Sequence, residues 1–198
     1  SISTYNSEAN SVGSVRVYDW DGNEWQLRGS FLEGLDNPLG FVTFYGYGLD
    51  LSADGNTVLI TGPERWSEDE TIQKVGYAEV FDWNGNTWIQ RGESLYGTVS
   101  FMSLGFSCDL SADGQTMILG GNGFDGSDKK GMARVYEWVN GSWTQKGEDM
   151  LGFLPEDALG HSVSIANQGN TIAIGAPGYE VGTSNLQGEV MVYDWNGN

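Results

Sequence analysis

An aromatic signature recurs four times along the chain, and the first three copies are each followed by a second tryptophan at the same distance. The four copies are Tyr18-Asp19-Trp20, Phe81-Asp82-Trp83, Tyr136-Glu137-Trp138 and Tyr193-Asp194-Trp195. Self-similarity at a period of about 50 to 60 residues is typical of repeat proteins, in which each unit buries its faces by stacking on its neighbours. The signature therefore predicts an array or a propeller of similar units.

Two hairpin patterns make up each unit. The first spans 46–60 and recurs at 105–119 and 160–174. The second spans 13–25 and recurs at 76–88 and 131–143, with a truncated copy at 188–198. Turn pairs such as Asp21-Gly22 and Asn84-Gly85 favour tight type I′ hairpins, and the 30 glycines suit short strands better than helices. Each unit is thus predicted to hold four strands. The predicted loops are 30–45, 93–104 and 148–159 between units, and 63–74, 122–130 and 177–187 within them.

The third predicted strand of a unit carries apolar side chains on both faces. In the first copy, Val15 and Val17 point to one side, and Tyr18 and Trp20 point to the other. Sheets that are covered on both sides are what a β-propeller requires of its blades. The predicted fold class is therefore all-β, a β-propeller of four-stranded antiparallel blades. Residues 1–198 form one segment of about three repeats, with approximate units 1–29, 30–92, 93–147 and 148–198.

The two ends of the chain are out of phase with the blade boundary. The chain begins shortly before a third strand, and its last unit, 148–198, lacks a fourth strand. Three blades alone would leave apolar blade faces in water. We therefore expect further blades to come from the same polypeptide or from other copies of the chain.

The repeats resemble the FG-GAP repeats of integrin-α-like β-propellers. The closest copy is Leu159-Gly160-His161-Ser162-Val163 followed by Ile174-Gly175-Ala176-Pro177, and the likeness extends over nearly the whole chain. Kelch repeats are the rival family, because the spacing from Tyr18 to Trp25 also matches theirs. The resemblance implies a non-enzymatic recognition, adhesion or matrix module outside the cell or on its surface. A carbohydrate-binding propeller, a polysaccharide-acting enzyme and a self-assembling structural array are the alternatives.

Many integrin-type repeats carry a calcium loop of the Asp-x-Asp-x-Asp-Gly kind, and this sequence has none. Asp54-Gly55 and Asp113-Gly114 each keep one carboxylate, which fits a turn better than a metal site. Asp125 and Asp128 are the weak metal candidates, although Lys129-Lys130 follows them directly. No cofactor is expected, and the sequence leaves open whether the chain binds calcium.

The chain has a formal net charge of −18, from 27 acidic and 9 basic residues. Nucleic acid and anionic membrane surfaces would be repelled by this charge. The sequence has no run of apolar residues long enough to span a bilayer. The expected partner is a protein or a glycan.

Few residues suit catalysis, and an enzyme is not expected. His161 is the sole histidine, and the same repeat position holds Tyr47 and Phe106, which favours a packing or rim role. Cys108 is the sole cysteine and aligns with apolar residues, which favours burial over nucleophilic chemistry. Asp50 and Asp109 align with Ser164, and we expect these positions to line a central channel as a ring.

The candidate binding residues are those that the repeats do not explain. Trp66, with Glu68 and Asp69 beside it, has no counterpart in the other units. An exposed indole can stack on a sugar ring or anchor a protein partner, whereas packing against the blade edge is the alternative role. Loop aromatics are the second group, and either line a rim or pack beneath their loops. They are Phe44, Tyr45 and Phe101.

Overall fold

The computed structural model describes residues 12–34, 42–67, 69, 71–123, 129–179 and 187–197. Within these residues every regular element is a β-strand, no helix occurs, and all paired strands are antiparallel. The prediction of an all-β chain is confirmed for the described residues.

The first group of strands, which we call sheet I, is a hairpin in two segments. Its strands are β1 (Ser14–Val15), β2 (Tyr18–Trp20), β3 (Trp25–Leu27) and β4 (Leu32–Glu33). Strand β2 pairs with β3, and β1 pairs with β4. Between the two segments, the Arg28 amide donates to the Val17 carbonyl at 2.8 Å, so the hairpin is continuous across the break.

Sheets II and III each contain five strands with the same topology. Sheet II comprises β5 (Leu49–Leu51), β6 (Thr57–Gly62), β7 (Tyr77–Trp83), β8 (Trp88–Gln90) and β9 (Leu95–Tyr96). Sheet III comprises β10 (Ser107–Leu110), β11 (Thr116–Gly121), β12 (Met132–Val139), β13 (Ser142–Gln145) and β14 (Met150–Leu151). The strands follow chain order across each sheet, with β9 pairing with the beginning of β7 and β14 with the beginning of β12.

Sheet IV contains three described strands, which correspond to the first three of sheets II and III. They are β15 (Ser162–Ile165), β16 (Thr171–Ala176) and β17 (Glu189–Asp194). In sheets I, II and III the two tryptophans of the aromatic signature face each other across the outer hairpin. Trp83 and Trp88, for example, have ring centroids 5.3 Å apart.

The sequence predicts loops at 30–45, 93–104 and 148–159, and this prediction is wrong for the first few residues of each segment. Each of these segments starts with a further piece of the outer strand, namely β4, β9 or β14. A left-handed glycine, such as Gly92 with φ of 76°, breaks the alternation of side chains after β8. The strand then resumes on the same partner, which the sequence pattern does not reveal.

Each inner sheet is covered on both faces, as the side-chain pattern predicts. Along β6, Val58 and Ile60 pack against sheet I, and Leu59 between them packs against sheet III. In β11, Ile118 faces sheet IV and its two neighbours face sheet II. Three apolar clusters therefore separate four sheets that are stacked in chain order.

The same polar contacts join successive sheets. The Trp88 indole Nε1 donates to the Arg28 carbonyl at 3.0 Å, and the Trp143 Nε1 donates to the Arg91 carbonyl at the same distance. A Cβ atom on Gly29 would lie 2.6 Å from the Trp83 ring. The tryptophans of one sheet thus bind the backbone of the sheet before it, and glycine provides the space.

At each interface between successive sheets, a basic residue of the earlier sheet also donates a hydrogen bond to the first turn of the following sheet. Arg28 pairs with Asp19 of its own sheet and donates to the Gly55 carbonyl, in the first turn of the next sheet, at 2.8 Å. Arg91 makes the corresponding pair of contacts, to Asp82 and to the Gly114 carbonyl. At the third interface, Lys146 donates to Glu137 of its own sheet and to the Gly169 carbonyl of the next sheet.

Candidate functional site

Three ring side chains form a row at the beginning of the first strands of sheets II, III and IV. We call Tyr47, Phe106 and His161 the aromatic row. The ring centroids of Tyr47 and Phe106 are 5.4 Å apart, and those of Phe106 and His161 are also 5.4 Å apart. Tyr47 is 53% exposed, His161 is exposed and Phe106 is half-buried. The row is therefore a partly accessible surface of rings.

A repeated backbone turn positions the aromatic row. Phe44, Ser103 and Ala158 precede the row by three residues and have φ values of 53°, 51° and 52°. The carbonyl of each accepts a hydrogen bond from the amide of the row residue, as from Tyr47 to Phe44 at 2.9 Å. Because the three turns are alike, the three rings project in the same direction. The sequence signal is a glycine followed by a ring at the start of each first strand, and it was present in all three units.

Two carboxylates lie farther along the same first strands and connect the sheets. Asp50 of β5 accepts a hydrogen bond from the Leu110 amide of β10 at 2.7 Å. Asp109 of β10 accepts from the Ile165 amide of β15 at 2.6 Å and from the Ser164 hydroxyl at 3.0 Å. The structure thus brings together the side chains that occupy equal repeat positions. Both carboxylates serve as acceptors for the next sheet.

The proximity of these two carboxylates changes the acidity of one of them. Burial, together with a hydrogen bond to Asp109, raises the pKa of Asp50 to about 6. The protonated form of Asp50 therefore persists to higher pH than that of an ordinary aspartate. Cys108 is partly buried between these groups, and burial and the nearby carboxylates raise the pKa of its thiol to about 12. A thiol with such a pKa is a poor nucleophile at neutral pH.

Trp66 and Asp69 lie in the connection between β6 and β7, and Glu68 lies outside the described residues. Trp66 is half-buried. Asp69 is exposed and accepts hydrogen bonds from the Ser67 hydroxyl at 2.6 Å and from the Thr71 amide at 3.2 Å. These bonds lower the pKa of Asp69. Asp69 therefore holds a tight turn, in the same way as Asp54 does in the first hairpin of sheet II.

The three loop aromatics have different environments. Tyr45 is 2% exposed and stacks on Tyr77, with ring centroids 5.8 Å apart, so it belongs to the core between sheets I and II. Burial raises the pKa of its hydroxyl. Phe44 and Phe101 are exposed, and both have left-handed backbone conformations. The structure thus places Tyr45 in a packing role and leaves Phe44 and Phe101 accessible.

The two weak metal candidates, Asp125 and Asp128, lie outside the described residues. Among the residues that are described, no group of three or more histidine, cysteine, aspartate or glutamate side chains is arranged to hold a metal ion. In the same part of the chain, no helix has the length and apolar character needed to cross a membrane.

A scan against protein-family models finds no match, and a search of curated proteins finds none either.

Proposed function

We propose that the chain is part of an integrin-α-like β-propeller that acts as a non-enzymatic recognition module outside the cell. The aromatic row is its ligand-contact surface. The propeller architecture is supported by four similar sheets that stack in chain order, each covered on both faces where it has neighbours. Around a propeller axis, the first strand of each blade lies innermost and approaches the first strand of the next blade.

The contacts between first strands fit this arrangement. Strands β5, β10 and β15 are linked in sequence by the carboxylates of Asp50 and Asp109, which bind the backbone of the next strand. The outer strands β8 and β13 interact instead through their tryptophans with the preceding sheet. These two sets of contacts support an arrangement with the first strands at the axis and the tryptophan strands at the circumference.

The exposure of the aromatic row carries the functional proposal. Rings that lie side by side outside the three apolar clusters, and that are exposed or half-buried, provide apolar area for a ligand at low cost in conformational entropy. On a propeller, a row across neighbouring first strands encircles part of one opening of the channel. The net charge of −18 favours a ligand with basic groups. A protein partner fits this requirement, as in an adhesion or matrix module.

Carbohydrate binding is the second candidate, because ring faces in a row can stack on successive sugar rings. Catalysis is disfavoured by the roles of the polar groups. Asp50 and Asp109 are engaged with backbone amides, and the sole histidine is a member of the row.

Binding to panels of immobilised matrix proteins and of glycans tests the proposal. The double variant Tyr47→Ala, Phe106→Ala is compared with Phe153→Ala, since Phe153 is an exposed ring, 73% accessible, outside the row. We expect the wild type and the Phe153 variant to bind the same ligand and the double variant to lose at least tenfold in affinity. Loss of glycan binding alone selects the second candidate. Equal binding by all three proteins refutes the role of the row.

A further inference from the structure

The outer hairpin of sheet III has a shorter loop than its counterparts in sheets I and II. In sheets I and II, the loops 21–24 and 84–87 connect the paired tryptophans. In sheet III the antiparallel ladder continues one rung further, to Val139 opposite Ser142. The loop of this hairpin is therefore reduced to residues 140–141.

These two loop residues form a type I′ turn. Asn140 has a φ of 53° and Gly141 a φ of 85°, and a type I′ turn requires positive φ at both central residues. Asparagine is one of the few residues with a side chain that adopts this conformation routinely. The sequence Asn-Gly is thus matched to the turn that it occupies.

The short loop changes the environment of the asparagine side chain. In the longer loop of sheet II, the Asn84 side-chain oxygen accepts hydrogen bonds from the amides of Asn86 and Thr87, each at 2.9 Å. Asp21 makes the corresponding bonds in sheet I. The Asn140 carboxamide makes no such bond to any described residue. It is therefore not engaged in holding its own turn.

The turn is also open to solvent. All four residues of 139–142 are exposed, and a Cβ atom added to Gly141 would have no neighbour within 4 Å. The Ser142 hydroxyl lies beside the turn and donates to the Val139 carbonyl at 3.3 Å. A bulky group on Asn140 can therefore be accommodated without movement of the surrounding strands.

The sequence at this turn is an acceptor motif for a covalent modification. Asn140-Gly141-Ser142 is the one complete Asn-x-Ser/Thr triplet within residues 1–198, and this triplet is the acceptor of N-linked glycans on exported proteins. The equivalent Asn84-Gly85-Asn86 lacks the hydroxyl. The motif thus coincides with the described outer hairpin in which the asparagine side chain is exposed and not bound within its loop.

We propose that Asn140 is the acceptor of an N-linked glycan. The inference rests on one part of the proposed function, the location outside the cell, because transfer requires an exported chain. The Asn140 side-chain nitrogen attacks the anomeric carbon of an oligosaccharide that is carried on a lipid pyrophosphate. A carbon–nitrogen bond forms and the carbon–oxygen bond to the pyrophosphate breaks. The lipid pyrophosphate leaves with the electron pair, and the nitrogen gives up one proton to a base of the transferase.

A glycan at this position leaves the aromatic row accessible. Leu159, two residues before His161 of the row, forms a bridge with Gly131, directly before β12. Asn140 follows the other end of β12. This strand has eight residues, which corresponds to about 26 Å at about 3.3 Å per residue. The glycan and the ligand surface therefore lie at opposite ends of the third strand.

Secretion of the chain from eukaryotic cells, behind a cleavable export signal, tests the proposal. Intact mass is measured before and after treatment with peptide N-glycosidase. We expect the wild type to carry one glycan and the enzyme to release it from the folded protein, with an aspartate left at position 140. Ser142→Ala should carry no glycan, and Ser142→Thr should carry one. Both variants keep the Asn-Gly turn, so their circular dichroism should match that of the wild type.

Several results would overturn the proposal. A wild type without a glycan does so, whether it is recovered from the medium or made by cell-free translation with endoplasmic-reticulum microsomes. A glycan that persists in the Ser142→Ala variant shows that another residue carries it. A glycan released only after denaturation contradicts the exposure of the turn. The export signal imposes the compartment, so the outcome does not depend on the role of the aromatic row, and refutation of that role in the ligand-binding assay leaves this result unchanged.

Discussion

Trp25 and Trp88 occupy the same repeat position, but only Trp88 has a preceding sheet to contact. Its exposed fraction is 6%, compared with 65% for Trp25. For an indole side chain this difference corresponds to roughly 150 Å² of surface, or about 4 kcal/mol of burial free energy. The Trp88 Nε1 also donates to the Arg28 carbonyl at 3.0 Å. We therefore expect Trp88→Ala to lower the free energy of unfolding by about 3 to 5 kcal/mol.

Trp25→Ala is the matched control, because it removes the same side chain from the same kind of hairpin without a covering sheet. We expect it to cost less than about 1 kcal/mol. Urea denaturation followed by circular dichroism measures both variants. Equal losses for the two variants would refute the reasoning, because they would show that the indole acts within its own hairpin and not between sheets.

Three further predictions concern single positions. Gly92→Ala should lower the free energy of unfolding, measured by urea denaturation, by about 2 to 4 kcal/mol, because φ is 76° and the new Cβ would lie 2.8 Å from the Trp138 ring. Gly85 is also left-handed but has open space around it, so Gly85→Ala should cost only about 1 to 2 kcal/mol. Equal costs would contradict the steric argument. Because the pKa of Asp50 is raised to about 6 in the folded chain, its contribution to stability is complete below pH of about 4 and is lost as the pH rises through 6. Asp50→Asn should remove this pH dependence and raise the free energy of unfolding at pH 8 by about 1 kcal/mol, after allowance for the partial exposure of the carboxyl group. If stability depends on pH in the same way in the variant, the proposed interaction between Asp50 and Asp109 is contradicted. With a thiol pKa of about 12, Cys108 should react with a disulfide reagent at pH 8 on the order of a thousandfold more slowly in the folded chain than in urea, and equal rates would show an ordinary thiol.

The local structure follows closely from the sequence because its determinants are local. Asp21-Gly22 and Asn84-Gly85 correctly predict the positions of their hairpins, and Gly22 and Gly85 have φ values of 102° and 97°. The type I′ prediction is wrong at these two turns, because Asp21 and Asn84 lack the positive φ that a type I′ turn requires at both central residues. The alternation around Val15 and Val17 predicts sheets that are covered on both faces. These patterns depend on neighbours within a few residues of each other.

The contacts between sheets leave no such local pattern. The hydrogen bond from the Leu110 amide to Asp50 joins residues of different units, and any polar side chain at position 50 satisfies the sequence pattern equally well. The sequence predicts a loop where β9 lies, because the repeated fourth-strand pattern ends at Gly92. The aromatic row was predicted only as a packing or rim position, since exposure depends on the curvature of the whole stack. The ring-to-ring contact of Phe106 with its neighbours is likewise a property of the stack.

The interface between sheets I and II and the interface between sheets II and III use the same partners. Arg28-Gly29 and Arg91-Gly92 each present a carbonyl acceptor and a glycine to the tryptophans of the following sheet. A gene rearrangement that removes 46–104 would therefore bring Trp143 to the Arg28 carbonyl and recreate a contact of the same kind. Duplication of the same segment would likewise create an additional interface with a contact of the same kind. The number of units in such a chain can thus change by recombination in whole repeats, while each interface keeps a partner it already fits.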